Sequence, residues 1–316
     1  MSSPLLFCRT LQSLLRDRGI EYALTSGMAC VEYGLQQNTK DSDWIIRLAD
    51  IAAFVELLCD QERGVSGRNW RVSYRGLFGA PLDLEYLQGG WTSHVAIVEH
   101  PESPERHVDV FGRPPRIAEE ALSHLSSGTA SRSMVARMKK TDRPKDWPIV
   151  NGLALQDYYA GLPEAVFHLR EPDILRLAWG RVPDGVRDDM IAERPLLAHL
   201  ESLDPCRLDR MLLIERTLWE CINRERYRVY QRAWKDFYRD WQRDRVGEWP
   251  TSEPFFQQHR MVCAAVRQHG LPAAPLVALA RRTELYDAGL NRTRSLVAAT
   301  DEELSMVAMP LGIILT

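Results

Sequence analysis

The sequence predicts an α/β (α+β) first half built on a small mixed sheet, followed by a mostly α-helical second half. Three observations carry this expectation. Up to about residue 150, apolar runs of strand length alternate with stripes at helical spacing. From Asn151 onward strand alternation nearly disappears. A carboxylate pair, Asp41-Ser42-Asp43, stands where an apolar strand begins, so one face of that strand is polar by design of the chain. The expected organisation is one domain at 1–150 and a helical domain at 151–316.

The elements follow in order. Residues 4–18 carry leucines at 5, 11, 14 and 15, a helical stripe, with Gly19 placed to end it. Residues 20–24 read as a strand, Thr25-Ser26-Gly27 as its exit turn, and 28–35 as a short helix. Residues 40–46 make a second strand and 51–59 a helix that packs Phe54, Val55, Leu57 and Leu58. Trp70, Val72 and Tyr74 alternate as in a half-buried strand. Residues 94–98 and 106–111 read as two strands joined by the turn-rich Pro101-Glu102-Ser103-Pro104.

The totals bound the class. A chain of 316 residues is long enough for two ordinary domains or for one larger one. Its 45% apolar and 26% charged content is that of a globular protein in water, and a net charge of -3 does not advertise a broad nucleic-acid surface. Six cysteines without close paired spacing suggest a reduced interior, not a disulfide framework or structural zinc. The run Pro4-Leu5-Leu6-Phe7-Cys8 is too short for a signal or membrane segment and is interrupted by Arg9. The expectation is a cytoplasmic protein without a membrane partner.

Two carboxylates two residues apart on a strand point to the same face. Side by side in a cleft their repulsion is costly unless a cation neutralises it. Next to a small-residue turn able to hold phosphates, such a pair reads as a magnesium–nucleotide site. Asp109 lies between Val108 and Val110 and so projects opposite those valines, onto a face that Asp41 and Asp43 can share. Asp83, in Pro81-Leu82-Asp83-Leu84-Glu85-Tyr86, is the alternative, although Pro81 can equally open a helix there. His94 and His107 are too dispersed for zinc and read as ordinary surface or partly buried histidines. Cys30 reads as a small core residue.

Together these residues resemble the nucleotidyltransferase superfamily (DNA polymerase beta-like fold). Its pattern is a small-residue turn opening a helix, a carboxylate-x-carboxylate strand and a third carboxylate on a neighbouring strand. Ser26-Gly27 looks like the turn, with Ser26 where that family often has glycine. Asn38-Thr39-Lys40-Asp41-Ser42-Asp43 is similar to the version in bacterial toxin-like and aminoglycoside-modifying members. The segment Met138-Lys139-Lys140-Thr141-Asp142-Arg143-Pro144-Lys145-Asp146-Trp147 resembles the basic motif that follows the core strands in the toxin-like branch.

The resemblance implies a magnesium-dependent transfer of a nucleoside monophosphate from a nucleoside triphosphate (NTP) to a hydroxyl-bearing acceptor. Asp41, Asp43 and Asp109 would bind metal and act in catalysis together with Lys139. Ser26, Gly27, Thr39, Lys140, Arg143, Lys145 and Asp146 would hold the nucleotide, Asp146 by orienting one of the cations. The acceptor is RNA, transfer RNA in the toxin-like case, or a small molecule such as an antibiotic, and an antitoxin-like protein is an expected partner. The competing expectation is a catalytically inactive nucleotide- or protein-binding module.

The second half reads as helices at 153–159, 173–179, 186–203 and from 206 to about 246, with prolines 163, 172, 183 and 205 near their limits. The last of these carries Tyr227, Tyr230, Trp234, Phe237, Tyr238 and Trp241 among many arginines. Such a surface can stack bases, but spacings of three and four fit a core stripe better. A final helical pair is expected at 255–269 and 275–286, one more turn at 301–305, and an apolar tail at 309–315.

Overall fold

The structure is a computed structural model and describes residues 3–65, 67, 69–76, 78–123, 125, 127–244 and 250–314. Its elements in chain order are α1 (Pro4–Asp17), β1 (Tyr22–Thr25), α2 (Ser26–Glu32), β2 (Asp41–Ile46), α3 (Ile51–Glu62), β3 (Arg71–Tyr74), α4 (Leu84–Gln88), β4 (Thr92–Val98) and β5 (Arg106–Phe111). There follow α5 (Glu119–Ser123), β6 (Gly128–Thr129), α6 (Arg132–Lys139), α7 (Asp146–Tyr159), α8 (Pro172–Trp179), α9 (Asp184–Glu193) and α10 (Pro205–Asp244). The chain closes with α11 (Phe255–Gln268), α12 (Leu279–Val297), α13 (Asp301–Val307) and α14 (Leu311–Ile314). The class is mixed α/β, with a six-stranded mixed sheet and a large helical C-terminal region.

Two compact units form, and they are not the consecutive segments 1–150 and 151–316. The first comprises Met1–Pro114, Glu119–Ala130 and Val229–Pro275, the second Pro115–Ala118, Ser131–Arg228 and Leu276–Thr316. The 40-residue helix α10 gives its residues up to Arg228 to the second unit and those from Val229 onward to the first. A helical apolar stripe reads continuously from Leu208 to Trp241, so nothing in its spacing marks the change of core.

In the first unit the sheet order is β3-β4-β5-β2-β1-β6. The β2/β5 and β1/β6 pairs are parallel and the others antiparallel. Helix α1 starts on Ser3, whose hydroxyl accepts from Leu6 N–H at 3.2 Å, with Pro4 in the first turn where its missing N–H is not needed. Its buried face is Phe7, Cys8, Leu11 and Leu15. These residues pack with α3, with Phe255 and Val262 of α11, and with one face of the sheet: Tyr22 and Leu24, Trp44 and Ile46, Val72 and Tyr74, Val95 and Ile97, Val108 and Val110.

That core decides the site. The side-chain period of a strand is two, so burying Trp44 and Ile46 turns Asp41 and Asp43 to the opposite face, and burying Val108 and Val110 does the same for His107 and Asp109. Slipping β2 by one residue would expose Trp44 and Ile46, each worth about 2 kcal/mol or more when buried, and force both aspartates inward. The register is therefore strongly fixed.

Four of the six rings between Tyr227 and Trp241 of α10 form a core stripe, while Tyr227 is exposed and Tyr238 half-buried. Tyr230, Trp234, Phe237 and Trp241 are buried. Tyr230 stands edge-on to Trp91 at 4.9 Å, and its hydroxyl donates to the Gly89 carbonyl at 2.7 Å.

The second unit is helical and holds a buried ion triad. Arg194 grips Glu215 through two bonds of 2.7 Å, and Arg170 adds a third at 3.0 Å. Burial by itself would raise the Glu215 carboxyl, but the charges of Arg194 and Arg170 hold it below its ordinary range.

Several boundaries differ from expectation. The helix expected at 186–203 stops at Glu193, because Pro195 pushes Arg194 out of the helical region to φ -129°, ψ 86°. Helix α6 was not foreseen; it is opened by Ser131, whose hydroxyl accepts from Met134 N–H at 3.2 Å. Helix α7 begins at Asp146 instead of 153, and α12 covers Leu279–Val297 instead of 275–286. The expected extension of α10 to 246 and the end of the tail at 315 lie outside the described residues. Among the described residues no helix is long and apolar enough to cross a membrane.

Candidate active site on the polar face of the sheet

The turn between β1 and α2 is held in an unusual backbone conformation. Ser26 has φ 52°, the left-handed region that favours glycine. Gly27 next to it is needed for space, since a Cβ there would stand 2.7 Å from the hydroxyl oxygen of Thr39. Thr39 in turn donates its hydroxyl to the Asp41 carbonyl at 3.1 Å. Gly27 and Thr39 thus lock the turn against the start of β2, the strand that carries the aspartate pair.

On that strand Asp43 lies between two register partners, Thr25 of β1 and Asp109 of β5. Asp41 pairs in register with His107 and accepts from its Nδ1 at 2.7 Å. His107 Nε2 faces Glu105 at 3.0 Å, so this imidazole sits between two carboxylates. The Asp41 side chain is about half exposed, at 49%.

Asp109 is more enclosed, at 18%. His94 of β4 is its register partner on the other side, and the two side chains meet at 2.6 Å. Arg75, just past β3, approaches the same carboxylate at 3.6 Å. Four acidic or imidazole groups, Asp41, Asp43, His107 and Asp109, therefore line one face of two parallel strands, with His94 beside them.

Asp83, the alternative third carboxylate, is committed elsewhere. Its side chain caps α4 by accepting from Glu85 N–H at 3.0 Å and pairs with Arg267 at 2.7 Å. It is a structural cap, and among the two candidates only Asp109 stands in register with the pair.

The basic segment belongs to the second unit, and residues 26, 27, 39, 41, 43 and 109 belong to the first. Lys139 is buried against Asp146 at 3.3 Å, and Asp146 also accepts from Thr141 Oγ1 at 2.6 Å and Arg143 Nε at 2.7 Å. Burial would raise the Asp146 carboxyl, but the Thr141 hydroxyl, Lys139 and Arg143 together hold it below the ordinary carboxylate range. Asp146 thus pairs with both Lys139 and Arg143. Lys145 and Arg143 are exposed.

The expected phosphate role of Lys140 requires correction. Its side chain is turned into the interior, where the ammonium donates to the Phe167 carbonyl at 2.9 Å and lies 4.7 Å from the centre of the Trp219 ring. Burial drives its pKa well below that of a free lysine. A lysine so placed packs the interior of the second unit and is not directed to solvent, where a triphosphate would meet it.

A metal site can be tested on this geometry. Among the described residues no three His, Cys, Asp or Glu side chains converge closely enough to hold an ion by themselves. Magnesium does not require such a cage, since it commonly takes one or two carboxylates and completes its shell with water and substrate phosphates. The in-register Asp43 and Asp109 meet that requirement, and Asp41 adds a carboxylate on the same face. The residues fit magnesium brought in with a polyphosphate.

Sequence reasoning missed His94 and Arg75. A signal was present: folding the two strands back about Pro101-Glu102 sets His94 opposite Asp109. In comparisons with known proteins, no family model, no curated protein and no solved structure matches the chain.

Proposed function

We propose that the chain is a magnesium-dependent nucleotidyltransferase, with a nucleotidyltransferase-like first unit that moves a nucleoside monophosphate from an NTP to a hydroxyl-bearing acceptor. The observation that carries this reading is the register of Asp43 with Asp109, with Asp41 two residues away on the same face. The left-handed Ser26 and the Gly27–Thr39 contact support it, because they hold a small-residue turn against that strand.

In this reading Asp43 and Asp109 would hold the cation, and Asp41 on the same face would add a third carboxylate to it. Magnesium there would draw charge from the α-phosphate and the departing pyrophosphate. The Ser26-Gly27 turn offers backbone donors to phosphate oxygens. Asp109 accepts the proton of the acceptor hydroxyl as that oxygen attacks phosphorus, and pyrophosphate leaves. The contribution of the protein is alignment and electrostatics.

The acceptor is read here as hydroxyl-bearing, RNA or a small molecule. Burial of Trp234, Phe237 and Trp241 removes those rings as a platform for stacked bases. The reading is tested by pyrophosphate release from each of the four NTPs, with magnesium and total cellular RNA. Release by wild type and none by D41A or D43A is the expected result. Release that survives in both variants would sink the assignment.

A further inference from the structure

Asp109 is held by more than its strand. His94 Nδ1 lies 2.6 Å from Asp109 Oδ1, and Arg75 Nη1 lies 3.6 Å from that same oxygen. An ionised carboxylate only accepts, so the Nδ1 proton belongs to the imidazole and is donated to Asp109. The backbone N–H of Arg75 donates to the His94 carbonyl at 3.0 Å, which ties the two donors to one place on the sheet.

The imidazole is itself cradled. A Cβ at Gly79 would stand 2.6 Å from His94 Cδ2, 3.3 Å from its Nε2 and 2.8 Å from the Thr92 carbonyl oxygen. The ring therefore occupies space that any residue larger than glycine at 79 would contest. His94, Arg75 and Asp109 are all about four-fifths buried, which limits competition from water for these bonds.

We infer that His94 is a positioning residue for Asp109: with Arg75 it ties down Oδ1 and turns Oδ2 toward the cation and the acceptor hydroxyl. The inference rests on the nucleotidyltransferase reading and gives it a part that the aspartate pattern did not contain. Hydrogen-bond partners that orient a metal-binding carboxylate typically change metal affinity or activity by about 10–100-fold when removed.

The test uses the full chain and manganese supplied with inorganic triphosphate, the oxygen-seeking ion being visible by electron paramagnetic resonance. We expect H94A to weaken manganese binding by about 10-fold or more while the thermal midpoint shows a folded protein. H94N, whose amide nitrogen reaches the position of Nδ1, restores most of the affinity, and H94Q does not. G79A, which pushes the ring aside, behaves as H94A, and D109A combined with H94A loses no more than D109A alone. Wild-type affinity in H94A, no advantage of H94N over H94Q, or fully additive losses would overturn the inference and leave the proposed function standing. A wild-type protein that takes up no manganese in the presence of triphosphate would overturn both.

Discussion

Asp43 and Asp109 are register partners across the parallel pair of β2 and β5, and both carboxylates leave the sheet on the face opposite the apolar core. Neighbouring strands are about 4.8 Å apart, so the two side chains leave the sheet from adjacent positions. This relationship couples stability to ligand. Magnesium together with an NTP should raise the thermal midpoint of the wild type, by an amount equivalent to about 2.7 kcal/mol at a hundredfold excess over the dissociation constant. D43N should show no such rise, as measured by differential scanning fluorimetry with and without the pair. An equal rise in D43N would place the nucleotide elsewhere.

The Ser26-Gly27 turn separates backbone strain from packing. A non-glycine residue in the left-handed region costs about 1–2 kcal/mol, which S26G relieves, less the added freedom of glycine in the unfolded chain. S26G should match or exceed wild-type stability, whereas S26V should lose about 1 kcal/mol or more. G27A drives a methyl into Thr39 and is expected to cost about 1–3 kcal/mol. Urea titrations read all three.

Glu215 is the hub of the second unit's interior. E215Q leaves Arg194 and Arg170 buried without a counter-charge, and breaking such a pair costs about 3–5 kcal/mol. Equilibrium unfolding should show that loss, although the residue lies outside the proposed site. A loss below about 1 kcal/mol would mean the arginines find other partners.

His168 gives the second unit an acid-sensitive interior. It is buried, with Nε2 at 3.0 Å from the Ser133 hydroxyl, and burial first, then the charges of Lys140, Arg137 and Arg194, hold its pKa well below the usual histidine value. The unfolded chain therefore takes up the proton first as pH falls. Stability is full above about pH 6.5 and declines below it by up to about 1.4 kcal/mol per pH unit. The urea midpoint should fall between pH 7 and 5 in wild type, and fall less in H168Q.

What the sequence disclosed, it disclosed through periodicity. The alternation of Trp44 and Ile46 with Asp41 and Asp43 placed the apolar core and the acidic face opposite it, and Val108-Asp109-Val110 put Asp109 on that same face. Asp83 was ambiguous because a residue that caps a helix and one that ends a strand share a local pattern. Lys140 was misplaced because a lysine in a basic run reads as solvated, and only the Trp219 ring and Phe167 carbonyl around it show otherwise. The two units were illegible because α10 changes core without a break in its stripe. His94 was legible only after a hairpin register had been chosen.

The central claim is transfer of a nucleoside monophosphate at the Asp41–Asp43–Asp109 face. It is tested most directly with NTPs labelled at the α-phosphate, incubated with magnesium and a whole-cell extract separated into RNA and small-molecule fractions. The account predicts covalent label in one fraction with wild type and at least a hundredfold less with D43N, a loss of about 2.7 kcal/mol or more in transition-state stabilisation. Equal labelling by wild type and D43N, or label recovered only in free nucleoside mono- or diphosphate, would contradict it.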